Sequence, residues 1–193
     1  MAVNLDPATT QLSEIVRGVP DDMLGAPTPS DVSVGALLDH IRTFAAAFTA
    51  AARKDFAGLD GPPPAPDASN LDPHWRESIP RALDELARAW SDADAWDGMT
   101  RIGGLDMPGE AAGIVALDEV VLHGWDLARA TRQPYDVDTG VLDPLVGFVT
   151  HMAEPGMVDA RNGLFGPVVS VPDDAPLLDR VVGLTGRDPD WSP

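Results

Sequence analysis

Cysteine is absent from this chain, and lysine occurs only once, at Lys54. Without cysteine there is no disulfide, no thiolate-ligated zinc and no cysteine nucleophile. Any thiol chemistry must therefore draw its thiol from a small-molecule partner. Cations are scarce overall: 13 Lys and Arg stand against 31 Asp and Glu, for a net charge of -18. A surface of that sign repels the phosphates of nucleic acids and the headgroups of anionic membranes, so neither is an expected partner. The acid is mostly Asp, spread over loops and helix starts, and reads as a solubility surface. Also missing is any apolar run near the roughly 20 residues that span a bilayer. The opening Met1-Ala2-Val3-Asn4-Leu5-Asp6 lacks the basic-then-apolar pattern of a secretory signal, which makes the cytoplasm the expected location.

What is present suffices for a core. Hydrophobic residues make up 44% of 193 residues, enough for one domain of ordinary size. Asp6-Pro7 reads as a cap followed by proline at a helix start, with Leu12, Ile15 and Val16 behind it. Ser33 is placed to cap a longer helix carrying Leu37, Leu38, Ile41, Phe44 and Phe48 at three- and four-residue spacing. Asp72-Pro73 opens a third, which Pro80 is expected to kink or split. Trp96 to Gly109 reads as irregular or short β structure, and Gly103-Gly104 lacks the context of a phosphate loop. The fourth helix is expected from near Pro108 to about Ala130. It is apolar on more of its circumference than the others and therefore central. A fifth is expected over 138–152, a short strand over Val168 to Val171, and a last helix over 176–184 stopped by Gly186.

The chemistry concentrates in Asp118-Glu119-Val120-Val121-Leu122-His123-Gly124-Trp125-Asp126. Glu119 and His123 are four residues apart, one turn along the same helix face, where a carboxylate and an imidazole can hold one metal ion or simply bond each other. His40, on the edge of the second helix's apolar stripe, is either a core histidine or a third ligand. Asp126, three residues after His123, is placed to bond that imidazole from behind or to face solvent. Asp39 reads as solvated surface, and Arg42 or Arg101 as a possible counter-charge for an anionic substrate. Trp75, Trp90, Trp96 and Trp125 read as packing.

Two segments carry a resemblance: Leu37-Leu38-Asp39-His40-Ile41, and Glu119 through His123-Gly124-Trp125-Asp126-Leu127-Ala128-Arg129-Ala130-Thr131. Together they resemble the mycothiol-dependent maleylpyruvate isomerase N-terminal family of DinB/YfiT-like metalloproteins, in particular its short actinobacterial metal-binding branch. Leu164-Phe165-Gly166-Pro167, Val171-Pro172-Asp173-Asp174-Ala175 and Gly186-Arg187-Asp188-Pro189 are similar to that branch too.

The resemblance implies an all-α protein: a DinB-like four-helix bundle over 1–134 and a small loop-rich C-terminal extension over 135–193, packed as one structural domain. It implies a divalent metal, zinc in many members, on His40, Glu119 and His123. Mycothiol or another low-molecular-weight thiol would be the cosubstrate for S-transfer or isomerisation of a small molecule. A non-catalytic ligand- or metal-binding protein, or a specialised-metabolism enzyme on the same scaffold, stands as the alternative. Both monomer and homodimer fit. One departure stands out: the Pro-Gly-Trp-Thr motif of many members is replaced by Pro27-Thr28-Pro29-Ser30-Asp31-Val32-Ser33.

Overall fold

Four helices pack in a closed ring in the computed structural model, which describes residues 2–161 and 164–193. They are α1 (Asp6–Arg17), α2 (Val34–Ala52), α3 (Trp75–Trp90) and α5 (Gly109–Thr131). The contacts run α1 to α3, α3 to α2, α2 to α5 and α5 back to α1, which is an all-α four-helix bundle. Its core includes Leu12, Leu38, Ile41, Ile79, Leu83, Leu86, Leu117, Val120 and Leu127. As the sequence pattern predicts, α5 is the most enclosed helix, with buried residues on every side. No helix of the described residues is long and apolar enough to cross a membrane.

Local chemistry sets most boundaries. Ser33 caps α2, its hydroxyl accepting from the Ala36 amide at 3.2 Å. Ser33→Ala is expected to cost about 1 kcal/mol of stability, read as a lower denaturation midpoint with unchanged slope. Ahead of α1 the cap differs from expectation. Asp6 is already helical and the cap position, Leu5, offers no side-chain bond; the Asn4 side chain accepts from the Asp6 amide instead. Asp72-Pro73 likewise builds a turn rather than the helix end, because the Asp72 carboxylate accepts from the His74 amide and α3 begins at Trp75. Pro80 leaves α3 in one piece. It sits near the helix start, so its missing N–H forfeits one bond only, to the Arg76 carbonyl.

Between α3 and α5 lie the short α4 (Ala93–Trp96) and a hairpin of β1 (Met99–Ile102) and β2 (Leu105–Pro108). Its antiparallel register pairs Ile102 with Leu105 across Gly103-Gly104. Both glycines have positive φ, 60° and 80°, the requirement of a two-residue primed turn. Thr100 anchors the hairpin to α2 through a hydrogen bond to the Ala51 carbonyl.

The remainder is α6 (Thr139–Met152, capped by Asp138), α7 (Val158–Arg161) and α8 (Leu177–Leu184). A second apolar cluster joins α6 and α8 to α5, through Leu122 and Trp125 against Val149, Val181 and Val182. The short strand expected at Val168 to Val171 does not form: this extended segment makes one ladder-like bond, from the Val169 amide to the Gly183 carbonyl, and finds a helix beside it instead of a strand. Among the described residues the hairpin is the one sheet.

Candidate metal centre

On α5, residues Ala112, Ala116, Glu119, His123, Leu127 and Ala130 recur at three- and four-residue intervals and share one face. All but Glu119 and His123 are fully buried. On the neighbouring α2, His40 lies between Leu37 and Phe44 on the corresponding apolar stripe. Packing of the two helices brings the three polar side chains to one point. Glu119 Oε2 stands 3.3 Å from His40 Nε2 and 3.0 Å from His123 Nε2. One ligand atom from each residue falls within 4.8 Å of the others. Partial exposure of the side chains, 20% for His40, 21% for Glu119 and 13% for His123, leaves the cluster open on one side.

These donors fit a small divalent cation. Two ligands held at about 2.0–2.1 Å on tetrahedral vertices stand about 3.3 Å apart, close to both measured separations. Two imidazole nitrogens and one carboxylate oxygen are also the donor types of open, three-residue zinc sites.

Behind His123 runs a buried polar relay. Its Nδ1–H donates to Asp126 Oδ2 at 3.0 Å, which aims Nε2 at Glu119, where the second N–H donates to Oε2 in the metal-free protein. Asp126 is completely buried. It also receives a two-pronged bond from Arg187, Nε to Oδ1 at 2.8 Å and Nη2 to Oδ2 at 2.9 Å. Arg187 comes from beyond α8, so the C-terminal extension contributes to the site. Burial alone would raise the Asp126 carboxyl, but the bond from His123 and the charge of Arg187 outweigh it and hold the group low.

The same competition sets the other charges. Burial pushes His123 down, yet its bonds to Asp126 and Glu119 win and bring it up to about 9. Burial also disfavours the Glu119 carboxylate, but hydrogen bonds from His123 and His40 hold that carboxyl below the usual range. Asp118 differs. It is buried and its Oδ1 has no hydrogen-bond partner; burial, then the neighbouring Glu119 charge, push it up to about 8, so its neutral form prevails at pH 7.

The structure thus brings His40, Glu119, His123 and Asp126 together and leaves other candidates elsewhere. Arg42 pairs with Asp39 at 2.9 Å. Arg101 sits on the hairpin between Asp60 and Asp106. The arginine at the site is Arg187, which no spacing could have indicated, since 61 residues separate it from Asp126. Asp39 is buried rather than solvated, because its carboxylate accepts from both Arg42 and the Asp67 amide. Trp75, Trp90, Trp96 and Trp125 are buried packing residues.

Gly124 explains part of the local sequence. A methyl group there would overlap the Tyr135 hydroxyl, which donates to the Val121 carbonyl and closes the opposite side of α5. The segment Pro27–Ser33 closes through a β-bridge at its ends, and the preceding Leu24 and Ala26 carbonyls accept from the first amides of α2. The helix start that carries His40 is thereby satisfied without a tryptophan.

A family model described as the mycothiol maleylpyruvate isomerase N-terminal domain matches residues 5–128. That span contains His40, Glu119, His123 and Asp126 and ends before Arg187. Among solved structures, a crystal structure of the mycothiol-dependent maleylpyruvate isomerase superposes with a TM-score of 0.66 at 17% identity, covering 96% of this chain and 88% of that one. At that identity the likeness concerns the fold. No curated protein matches.

Proposed function

Because the chain belongs to the mycothiol maleylpyruvate isomerase N-terminal domain family, we propose that it is an enzyme in which His40, Glu119 and His123 hold a divalent ion, zinc by donor type, beside which a low-molecular-weight thiol such as mycothiol reacts. The observation that carries this reading is the convergence of three ligand atoms from two helices on one partly open point. When bound, the ion would supply the Lewis acidity that keeps a thiol in its thiolate form at neutral pH.

The residues divide the remaining work. Glu119 stays anionic and balances part of the cation's charge. Asp126 fixes the tautomer and angle of His123, and Arg187 keeps Asp126 ionised. The substrate class is a small molecule with an electrophilic carbon. If that carbon belongs to a conjugated cis double bond, the thiolate adds to it and the former double bond turns as a single bond. Expulsion of the same thiolate then restores the alkene as trans, with no net oxidation and the thiol regenerated. If the carbon bears a leaving group, the sulfur stays and S-transfer results.

Metal content and thiol consumption test the proposal together. Wild-type protein is expected to carry about one equivalent of zinc, and His40→Ala and His123→Ala to lose it under the same dialysis. With zinc added, a panel of electrophiles is expected to consume thiol in the wild type alone. Wild type that holds no metal when supplied with it would sink the metal reading. Bound metal without thiol consumption would replace the enzyme by a binding protein.

A further inference from the structure

The two candidate histidine ligands are held in different ways. His123 is fixed by a hydrogen bond from Nδ1 to a buried carboxylate, itself braced by an arginine. His40 has no such support: its Nδ1 is buried and finds no hydrogen-bond partner, and its bond through Nε2 points toward Glu119. A histidine that ligates a metal ordinarily donates its second N–H to a carboxylate, carbonyl or water, which fixes the ring. Nothing polar does so here, and a free torsion would let the imidazole swing away from the point of convergence.

What does bear on the ring is Phe44, one turn along α2 on the same face. Its phenyl meets the His40 imidazole edge-on, with centroids 5.7 Å apart and planes at 68°. The same phenyl stacks on His123 at 6.0 Å and 26°. The two imidazoles in turn meet at 4.8 Å and 88°. The three rings form one packed set, and Phe44 is buried and rooted in the bundle core. Aromatic pairs at these distances favour particular relative orientations, beyond the area they bury.

We propose that Phe44 is the positioning residue for His40: a single buried phenyl, packed on both imidazoles, supplies the orientation that a hydrogen bond supplies to His123. The inference rests on the reading of His40, Glu119 and His123 as ligands, and it makes His40 the ligand whose hold on the ion depends on packing.

Phe44→Leu tests it, since leucine keeps most of the apolar volume and removes the ring. Phe48→Leu is the control. Phe48 is also buried on α2, one turn further on, and touches neither histidine with its ring. With cobalt(II) as the probe, Phe44→Leu is expected to release metal to a chelator about tenfold faster or more. Its visible spectrum should change, while Phe48→Leu keeps the wild-type rate and spectrum. In the metal-free protein, the histidine side-chain nitrogen spectrum should show a single His40 tautomer in wild type and a mixture in Phe44→Leu. Equal release rates and unchanged spectra in Phe44→Leu, or an equal effect of Phe48→Leu, overturn the proposal. Wild type that takes up no cobalt instead overturns the metal reading, and the metal-free nitrogen spectra then decide the role of Phe44 alone.

Discussion

Asp126→Ala is expected to cost about 3–5 kcal/mol of folding free energy and, separately, to weaken metal binding by about 10–100-fold. The two losses have different origins. Stability falls because the Arg187 guanidinium, only 12% exposed and paired with no other carboxylate at hydrogen-bond range among the described residues, would be left as an uncompensated, largely buried cation. Metal affinity falls because the His123 ring loses the acceptor that selects its tautomer. Their separation is measurable. Asp126→Asn keeps the shape but not the charge, and is expected to recover part of the stability while leaving metal binding impaired. Asp126→Ala combined with Arg187→Leu removes the orphan charge as well. It should be more stable than Asp126→Ala alone, because deleting both members of a buried pair is cheaper than deleting one. Denaturant midpoints and chelator competition give the two readouts. A single variant within about 1 kcal/mol of wild type would contradict the buried pair as the cause.

The apparent metal affinity is expected to climb about tenfold per pH unit between pH 6.5 and 9, roughly 300-fold in all, and then level off. His123 is raised from 6.5 to about 9 in the metal-free protein, against the effect of burial, by its bonds to Asp126 and Glu119. Over that window an ion must displace a proton from Nε2 before the nitrogen can ligate. Glu119, held low, contributes no proton.

Stability without metal should move the other way. A histidine raised on folding stabilises the fold fully below about 6.5, and that contribution is lost as pH rises through 9. Asp118, raised to about 8, adds in the same direction, its contribution fully present below about 3.8 and lost as pH rises through 8. Metal-free protein is therefore expected to unfold more easily at pH 9 than at pH 6.5, while added zinc protects more strongly at pH 9. A dissociation constant that does not vary across this range would show that His123 is neutral throughout it.

Helical spacing makes the centre of the site legible. Glu119 and His123 share a face by arithmetic, and the apolar stripe around His40 already points it inward. Which helix meets which is not contained in any single stripe, so spacing alone could not choose between a bonded pair and a shared ligand point. Ser33 accepts from an amide three residues on and is readable for that reason; Asn4 and Asp72 instead accept from the amide two residues on, so the helix starts beside them do not fall on the expected caps. The failures are the long-range pairings. Asp39 is buried where the Asp67 amide, 28 residues along the chain, meets its carboxylate. Val168 to Val171 has strand composition but packs against a helix. Arg187 joins Asp126 through the return of the chain past α8, and its part in the resemblance gave no hint of its partner.

The position of Arg187 orders the assembly of the site in time. His40, Glu119 and His123 are all in the chain before residue 124, and the arginine that completes the brace behind them comes 64 residues after His123. At about 5–20 residues per second, that interval is roughly 3–13 s of synthesis. A growing chain thus owns all three candidate ligands for seconds before Asp126 can meet its counter-charge, and the fully braced pocket waits for Arg187 to be made.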